Sequence, residues 1–492
     1  MNRLKKLFFF AGMSILTSVS AQPFNLPLNQ AYSFEREQNK IREFNTSAGN
    51  FYPLLYSKQK KDSDTTTQFP SIDFNYKKKR SLLARKLFFE HLITVDTGII
   101  RLTIDPLLNL ELGAEGKEDP RESTLFKNTR GVQLQLGIGK QFAIASSFRE
   151  NQANLPYYLS RRTQRSQMAF GQGRTKKFGE DGFDFSMSSA YISYSPSENI
   201  NIQGGHGKHF VGSGHRSLLL SDLSFNYPFL RLNSSWFNQK LRYQNVYALL
   251  QNMNRIPSST GTENLFERKQ ASFHYLEYQL HKKLSIGLFE GIIYPNLDSS
   301  GNRSAGANFW VPLIFLNSFL EAPDESGNST LGLTIDYIPF SKLKLYQQLT
   351  VFDEKTDKIG FQTGLKWFPF KTLMIQAELN NLPTQELGSR YTHNNESLSH
   401  PFQSDLREVI GIIQFQKNRW QSRGAAHFLK AEDREIRFLD FRQSYLINPS
   451  YFLSLHLGVQ YRDEETNQLY PNESLYFYFG LSTNLQNLYF NY

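Results

Sequence analysis

From about residue 92 onward, apolar and polar side chains alternate along the chain with a period of two. Val132, Leu134, Leu136 and Ile138 are separated by Gln133, Gln135 and Gly137. Leu343, Leu345, Leu349 and Val351 alternate with Lys344, Tyr346, Gln348 and Thr350, and Leu373, Ile375, Ala377 and Leu379 alternate with Met374, Gln376, Glu378 and Asn380. Such alternation puts successive side chains on opposite faces of an extended strand. One segment of this kind fits any half-buried strand, so the argument rests on their accumulation. The chain carries about 18, starting near Leu107, Asn128, Gln141, Ser186, Ile200, Phe229, Lys240, Arg268, Leu284, Thr330, Lys342, Ile359, Thr372, Leu406, Arg419, Ile436, Tyr451 and Ser474. Most run about 9 to 12 residues, the length a tilted strand needs to cross a bilayer.

The connections fall into two classes. Tight turns such as Ser195-Pro196-Ser197-Glu198, His281-Lys282-Lys283, Pro339-Phe340-Ser341, Pro369-Phe370-Lys371 and Asn448-Pro449-Ser450 alternate with long polar stretches near 150–185, 254–267, 295–329, 381–405 and 462–473. Short turns at one end and long loops at the other predict an antiparallel transmembrane β-barrel of the outer membrane, with the turns periplasmic. The chain stops at Leu488, Tyr489, Phe490, Asn491 and Tyr492, the aromatic ending expected on a last barrel strand. A soluble β-rich adhesin would show the same alternation without the loop asymmetry.

The N-terminus has a different pattern. Arg3, Lys5 and Lys6 precede an apolar stretch from Leu7 to about Leu16, and Val19-Ser20-Ala21 offers a cleavage site before Gln22. Residues 1–21 therefore read as a signal peptide for export through the general secretory pathway, too short for a helical anchor. Farther on, Ala31, Phe34, Ile41 and Phe44 share one helical face between Asn29 and Asn45, with Asn29 as the N-cap. The run Lys77-Lys78-Lys79-Arg80 leads into a helix-compatible Ser81 to Phe89. It reads as a solvated helix start, or as a contact for acidic lipid head groups or polysaccharide. Residues 22–90 form a partly helical, periplasmic, plug-like region, and 91–492 the barrel. An 18-strand barrel leaves a water-filled channel unless something fills it.

Composition narrows the classes. Aromatics make up 14% of the chain, with 42 Phe and 25 Tyr, as the interfacial girdles of a membrane barrel require. Mean hydropathy is −0.47, and beyond the N-terminus no apolar run reaches 18 residues, which excludes helical spans. With no Cys, disulfides, thiolate zinc sites, thiol nucleophiles and a lipidated cysteine are excluded together. Basic residues exceed acidic ones by ten. Removing the leader takes three positive charges, leaving about +7 from +10, spread along the chain rather than gathered into a nucleic-acid-binding stripe.

The densest cluster of reactive groups lies between Gly204 and Leu230. His206, Lys208 and His209 end a strand, and His215, Arg216 and Asp222 follow in a loop. The histidine spacing matches no compact zinc motif, and Gly212-Ser213-Gly214 is not a nucleophile elbow, so no metal, cofactor or catalytic role is expected. The expected role is lining, with Arg216 and Asp222 holding an inward-folded loop by charge-assisted hydrogen bonds. In a long loop, Asn151, Gln152, Tyr157 and Tyr158 precede Arg161, Arg162 and Arg165, a set suited to an acidic polysaccharide or simply to a solvated loop. Gly171-Gln172-Gly173-Arg174 is a turn signal without phosphate-loop spacing.

Several segments in order resemble a known family: Asn128-Thr129-Arg130-Gly131, Glu150-Asn151-Gln152, Gly171-Gln172-Gly173-Arg174, Tyr191 to Pro196, Gly205 to Phe210, Arg216 to Asp222, Ala271 to Leu276, Gly287-Leu288-Phe289-Glu290 and His400-Pro401-Phe402. Together they resemble RemB-type gliding-motility outer-membrane proteins and, more distantly, Wzi-type capsule-assembly proteins. Ser213-Gly214-His215 departs from the family pattern, which often has an acidic or aromatic pair there. The resemblance implies an 18-stranded barrel with a periplasmic helical element and no enzymatic activity. It also implies surface polysaccharide, or motility and surface-adhesin machinery, as partners beside the membrane lipids. It supplies no catalytic residues. A general or substrate-specific porin is the alternative, and a barrel enzyme using His206, His209 or Ser213 a third.

Overall fold

The computed structural model describes residues 23–46, 49–55, 80–116, 124–255, 266–295, 297–298, 301–302, 307–316, 328–352, 359–383, 391–402, 405–431, 434–466, 473–483 and 486–490. The expected signal peptide and Lys77 to Lys79 lie outside the described residues. Eighteen antiparallel strands form a closed barrel. They are β1 (Ile100–Gly116), β2 (Leu125–Ile138), β3 (Phe142–Asn154), β4 (Gly182–Ser197), β5 (Ile200–Gly207), β6 (Tyr227–Trp236), β7 (Leu241–Arg255), β8 (Phe266–His281) and β9 (Leu284–Pro295). Beyond these come β10 (Asn328–Phe340), β11 (Leu343–Phe352), β12 (Ile359–Phe370), β13 (Leu373–Leu382), β14 (Leu406–Lys417), β15 (Trp420–Ala431), β16 (Arg434–Asn448), β17 (Leu453–Glu465) and β18 (Glu473–Thr483). Each strand pairs with the next, and β18 closes on β1 with Leu475 opposite Gly116 and Ser482 opposite Asn109. Closure leaves the wall no open edge, as lipid requires.

The alternation that predicts the strands is turned inside out. On β11 the polar set Lys344, Tyr346, Gln348 and Thr350 is buried, while Leu345 on the opposite face is exposed. On β13, Gln376, Glu378 and Asn380 are buried and Leu379 is exposed. The outer wall is an apolar belt carrying Leu112, Val132, Ile192, Leu249, Ile413, Phe441 and Phe479, a surface that matches hydrocarbon rather than water.

The buried inner face requires a filled lumen, and four segments join the inward loop between β5 and β6 in filling it. Helix α1 (Phe34–Arg42) presents Phe34 and Ile41 to Ile338, Phe368 and Ile410 of the wall. It sits at the short-turn end, where Gln38 Nε2 donates to the carbonyls of Phe370 and Lys371, and Thr46 N to that of Lys282. Phe51–Tyr52 makes a two-residue antiparallel bridge with Phe210–Val211 of the loop between β5 and β6. A third segment, 391–402, comes from the loop between β13 and β14. Ser221 N donates to Leu398 O, and Tyr391 Oη to Leu219 O at 2.6 Å, joining the two inward loops.

The fourth segment corrects the expected chain ending. The last strand ends at Thr483, and residues 486–490 run inside the lumen instead of completing the wall. Asn487 N donates to Leu28 O at 2.8 Å near the short-turn end, while Phe490 O accepts from Tyr158 Oη at 2.9 Å near the long-loop end. After α1 the chain forms a short helix, α2 (Leu82–Phe88), and the stretch 150–185 also departs from a plain loop, since it contains helix α3 (Tyr157–Ser166). Helix α2 stands at the short-turn rim, where Asn448 Nδ2 donates to the carbonyls of Lys86 and Glu90, and Ser450 Oγ to that of Phe89. Its Leu82, Leu83 and Leu87 are exposed.

Candidate functional site

The loop 208–226 is the centre of the lumen. Its turn depends on Gly212, whose φ of +115° is left-handed and whose added Cβ would lie 1.8 Å from Gln348 Nε2. Ser217 then holds the backbone: its Oγ donates to Val211 O at 2.6 Å and accepts from the amides of Leu219 and Leu220. The apolar run Leu218, Leu219, Leu220 packs with Phe51, Phe273, Phe289 and Tyr391. A buried loop needs partners for its polar groups, and here the barrel wall provides many of them.

Two wall carboxylates do most of this. Glu378 accepts from the amides of His215 (2.6 Å) and Arg216 (3.1 Å), and from Tyr346 Oη (2.9 Å). Glu408 pairs with Arg216, Nη2 to Oε1 at 3.1 Å, and meets His400 Nε2 at 2.7 Å and His427 Nδ1 at 3.1 Å. A third contact joins loop, plug and wall: Lys344 Nζ lies 2.8 Å from Asp336 Oδ2 and 2.7 Å from Ser213 Oγ, and Asn50 Nδ2 donates to the same Asp336 oxygen at 2.8 Å.

The residues expected to act together divide between two places. Lys208 Nζ donates to the backbone carbonyls of Gly171 and Asp222, and burial brings its ammonium down to about 8. His209 is buried against Phe51, Tyr227 and Phe229, with Nδ1 3.1 Å from Tyr227 Oη. His206, on the wall, meets Ser188 O and the Phe225 ring. Arg216 and Asp222 both hold the loop, but through different partners: Asp222 accepts from Tyr489 Oη (2.8 Å) and Asn487 Nδ2 (2.9 Å) of the C-terminal segment. Burial raises the Asp222 carboxyl above its usual range. Ser213 and Ser217 are engaged as structural hydrogen-bonding groups. Among the described residues no cluster of three or more acidic or histidine side chains is arranged to hold a metal ion.

The second place is α3, at the long-loop end. Arg161 lies over the Tyr157 ring, Arg162 over Phe170, and Arg165 is exposed. Tyr158 turns inward and carries Arg462 over its ring at 4.7 Å. This helix presents cations to the outside, while the 206–222 group faces inward.

Sequence reasoning missed Glu378, Glu408, Asp336, His400 and the C-terminal anchor Tyr489. A signal existed for the wall acids, since Asp and Glu on a strand's inward face need a partner. It also missed a polar cavity of about 220 Å³ between the C-terminal segment and the wall, lined in part by Lys127, Arg149, Arg423, Asp440 and Arg442.

No family model and no curated protein matches the chain. Among solved structures it is similar to Wzi of Escherichia coli, described as an outer-membrane protein involved in group 1 capsule assembly and a carbohydrate-binding β-barrel. The TM-score is 0.58 at 11% identity, covering 94% of this chain and 100% of that one. The fold is shared with Wzi. Weaker likenesses are OccAB2 of Acinetobacter baumannii (TM-score 0.46, 10% identity, covering 79% of this chain and 98% of that one) and OprD of Pseudomonas aeruginosa (0.42, 9%, 81% and 96%). The protein is thus an outer-membrane β-barrel with the fold of Wzi.

Proposed function

We propose that this protein is a non-enzymatic barrel that holds or helps assemble surface polysaccharide, or supports gliding motility through that surface layer. The observation that carries the reading is the filled lumen: the wall acids Glu378 and Glu408 fix an inward loop that the N-terminal and C-terminal segments also grip. A barrel closed in this way suits attachment rather than free diffusion. Cationic and aromatic groups of α3 at the long-loop end, Tyr157 with Arg161, Arg162 and Arg165, suit an acidic glycan. The carbohydrate-binding description of Wzi agrees with this reading.

Porin activity is the second reading, favoured by the polar cavity beside β1 and β16. Both are tested on one sample. The purified, detergent-folded barrel is measured for binding to the organism's own surface polysaccharide and for planar-bilayer conductance. Saturable binding without stable channels supports the attachment reading. Stable channels without binding support the porin and overturn attachment.

A further inference from the structure

The cavity of about 220 Å³ carries an excess of cationic lining. Four cationic side chains line it, Lys127, Arg149, Arg423 and Arg442, against two carboxylates, Glu111 and Asp440. Both carboxylates are already engaged. Glu111 binds Lys127 Nζ at 2.7 Å and Tyr476 Oη at 2.9 Å, and Asp440 accepts from Gln460 Nε2 at 3.0 Å with Arg423 Nη1 3.6 Å away. Among the described residues, Arg149 and Arg442 have no carboxylate partner. Arg149 Nη2 reaches only Gln486 Oε1 at 3.4 Å, and Arg442 Nη2 reaches Ser482 Oγ at 3.2 Å.

Register sharpens the imbalance. Arg423 and Arg442 are directly opposed on neighbouring strands, an arrangement that like charges make unfavourable. With Arg423 beside Asp440, an anion seated at Arg442 offsets that repulsion. Other polar atoms also lack protein partners: Gln421 is buried with Nε2 unbonded, and Asn109 Oδ1 and the guanidinium Nε of Arg149 are likewise without a partner. Ring faces of Tyr478, Tyr489 and Phe490 complete the lining. The volume lies below the ~300–1,000 Å³ of pockets for drug-sized ligands, so it suits one small solute and not a polymer segment.

We infer that this cavity is a binding site for a single carboxylate-bearing sugar unit, a hexuronate, with Arg442 and Arg149 taking the carboxylate and the amides of Gln421 and Asn109 the hydroxyls. Guanidinium groups recognise a carboxylate in a forked, two-bond geometry, and amide side chains supply both donor and acceptor for hydroxyls. The choice of a sugar rests on the polysaccharide reading above; the anion preference rests on the cavity alone.

The test is isothermal titration of the full, detergent-folded barrel with galacturonate, galactose and acetate, in the unaltered protein and in Arg442→Gln, Arg149→Gln and Arg442→Lys. Heat-modifiable migration on gels confirms that each variant is folded. Saturable galacturonate binding, weakened at least tenfold by either glutamine variant, partly retained in Arg442→Lys and at least tenfold tighter than galactose or acetate, is the expected result. Equal binding of galactose, equal binding of acetate, or indifference to Arg442→Gln in folded protein overturns the site. The organism's surface polysaccharide is titrated in parallel. Polymer binding without galacturonate binding removes the site and leaves the proposed function. Galacturonate binding without polymer binding keeps the site and removes the function.

Discussion

Arg216 and Glu408 form an ion pair inside the barrel, with side chains 2% and 0% exposed and Nη2 3.1 Å from Oε1. Glu408 belongs to β14 and Arg216 to the inward loop, so this pair ties the filling of the lumen to its wall. The two histidines on Glu408 satisfy its other lone pairs. Breaking one partner of a buried pair strands the other charge, at a cost of about 3–5 kcal/mol. Glu408→Ala is therefore expected to lower the thermal midpoint and raise bilayer conductance, because the loop loses its anchor. The double variant Arg216→Met/Glu408→Leu should recover most of the stability. Calorimetry and single-channel recording on the three proteins check this, and equal stability of the single and double variants would sink the idea.

The second prediction concerns the C-terminal segment. Tyr489 Oη donates to Asp222 Oδ1, a buried carboxylate whose pKa burial already raises. Tyr489→Phe removes a hydrogen bond to that carboxylate without removing the ring. About 1.5–3 kcal/mol of stability should go with it, the range for a bond to a charged group. Hydrogen exchange read by mass spectrometry should then rise in the peptide containing 486–490 and leave strand amides protected. Unchanged exchange in that peptide would show that packing alone holds it.

These anchors mark where sequence reading stopped. The barrel was legible because period-two alternation survives whichever face is buried, and Ile200, Leu284, Ile359 and Leu406 begin strands as expected. Strand β1 begins at Ile100 and not near Leu107, because Thr103 and Asp105 turn into the barrel and Pro106 interrupts the apparent strand signal. Helix α3 has the sequence pattern of a loop: Pro156 at its N-cap position makes no side-chain cap, and its residues are mostly polar. Glu378 and Glu408 look like any other inward polar position until the loop that needs them is in place. The ending failed for a related reason, since aromatic residues serve a membrane girdle and a lumenal anchor equally well.

A third prediction follows from His215. Its Nδ1 lies 2.8 Å from Gln30 Oε1, and burial, then the neighbouring His427 and Arg216, hold the imidazole well below its usual pKa. A buried histidine kept neutral binds fewer protons folded than unfolded, so its contribution is present above about pH 6.5 and is lost as pH falls toward the folded value. Glu396, pushed up to about 7 by burial, acts with the opposite sign, gaining stability as pH falls from 7. The unaltered protein's curve mixes the two. The difference between His215→Gln and the unaltered protein isolates the histidine, and it should shift in the variant's favour by up to ~1.4 kcal/mol per pH unit below pH 6.5. Thermal midpoints at pH 7.5, 6.0 and 5.0 measure it, and a flat difference would mean that the imidazole accepts a proton at no cost.

The last prediction places helix α2 in the membrane surface. Leu83 is 78% exposed and Leu82 71%, beside the exposed Leu92, Ile93 and Val95 that continue onto the barrel wall. The strand Ile93–Asp96 pairs with β1 between Arg101 and Ile104, so the chain passes from helix α2 directly onto the barrel wall. Arg85 and Lys86 pair with Glu90 at the same rim, which holds both side-chain charges on one carboxylate beside the leucines. An amphipathic helix of this kind lies in the interface with its apolar side among acyl chains. Leu83→Trp in lipid vesicles should therefore show blue-shifted emission, quenched by lipids brominated near the head group and less by aqueous iodide. The reverse order would put the helix in water and assign its leucines to a protein partner instead.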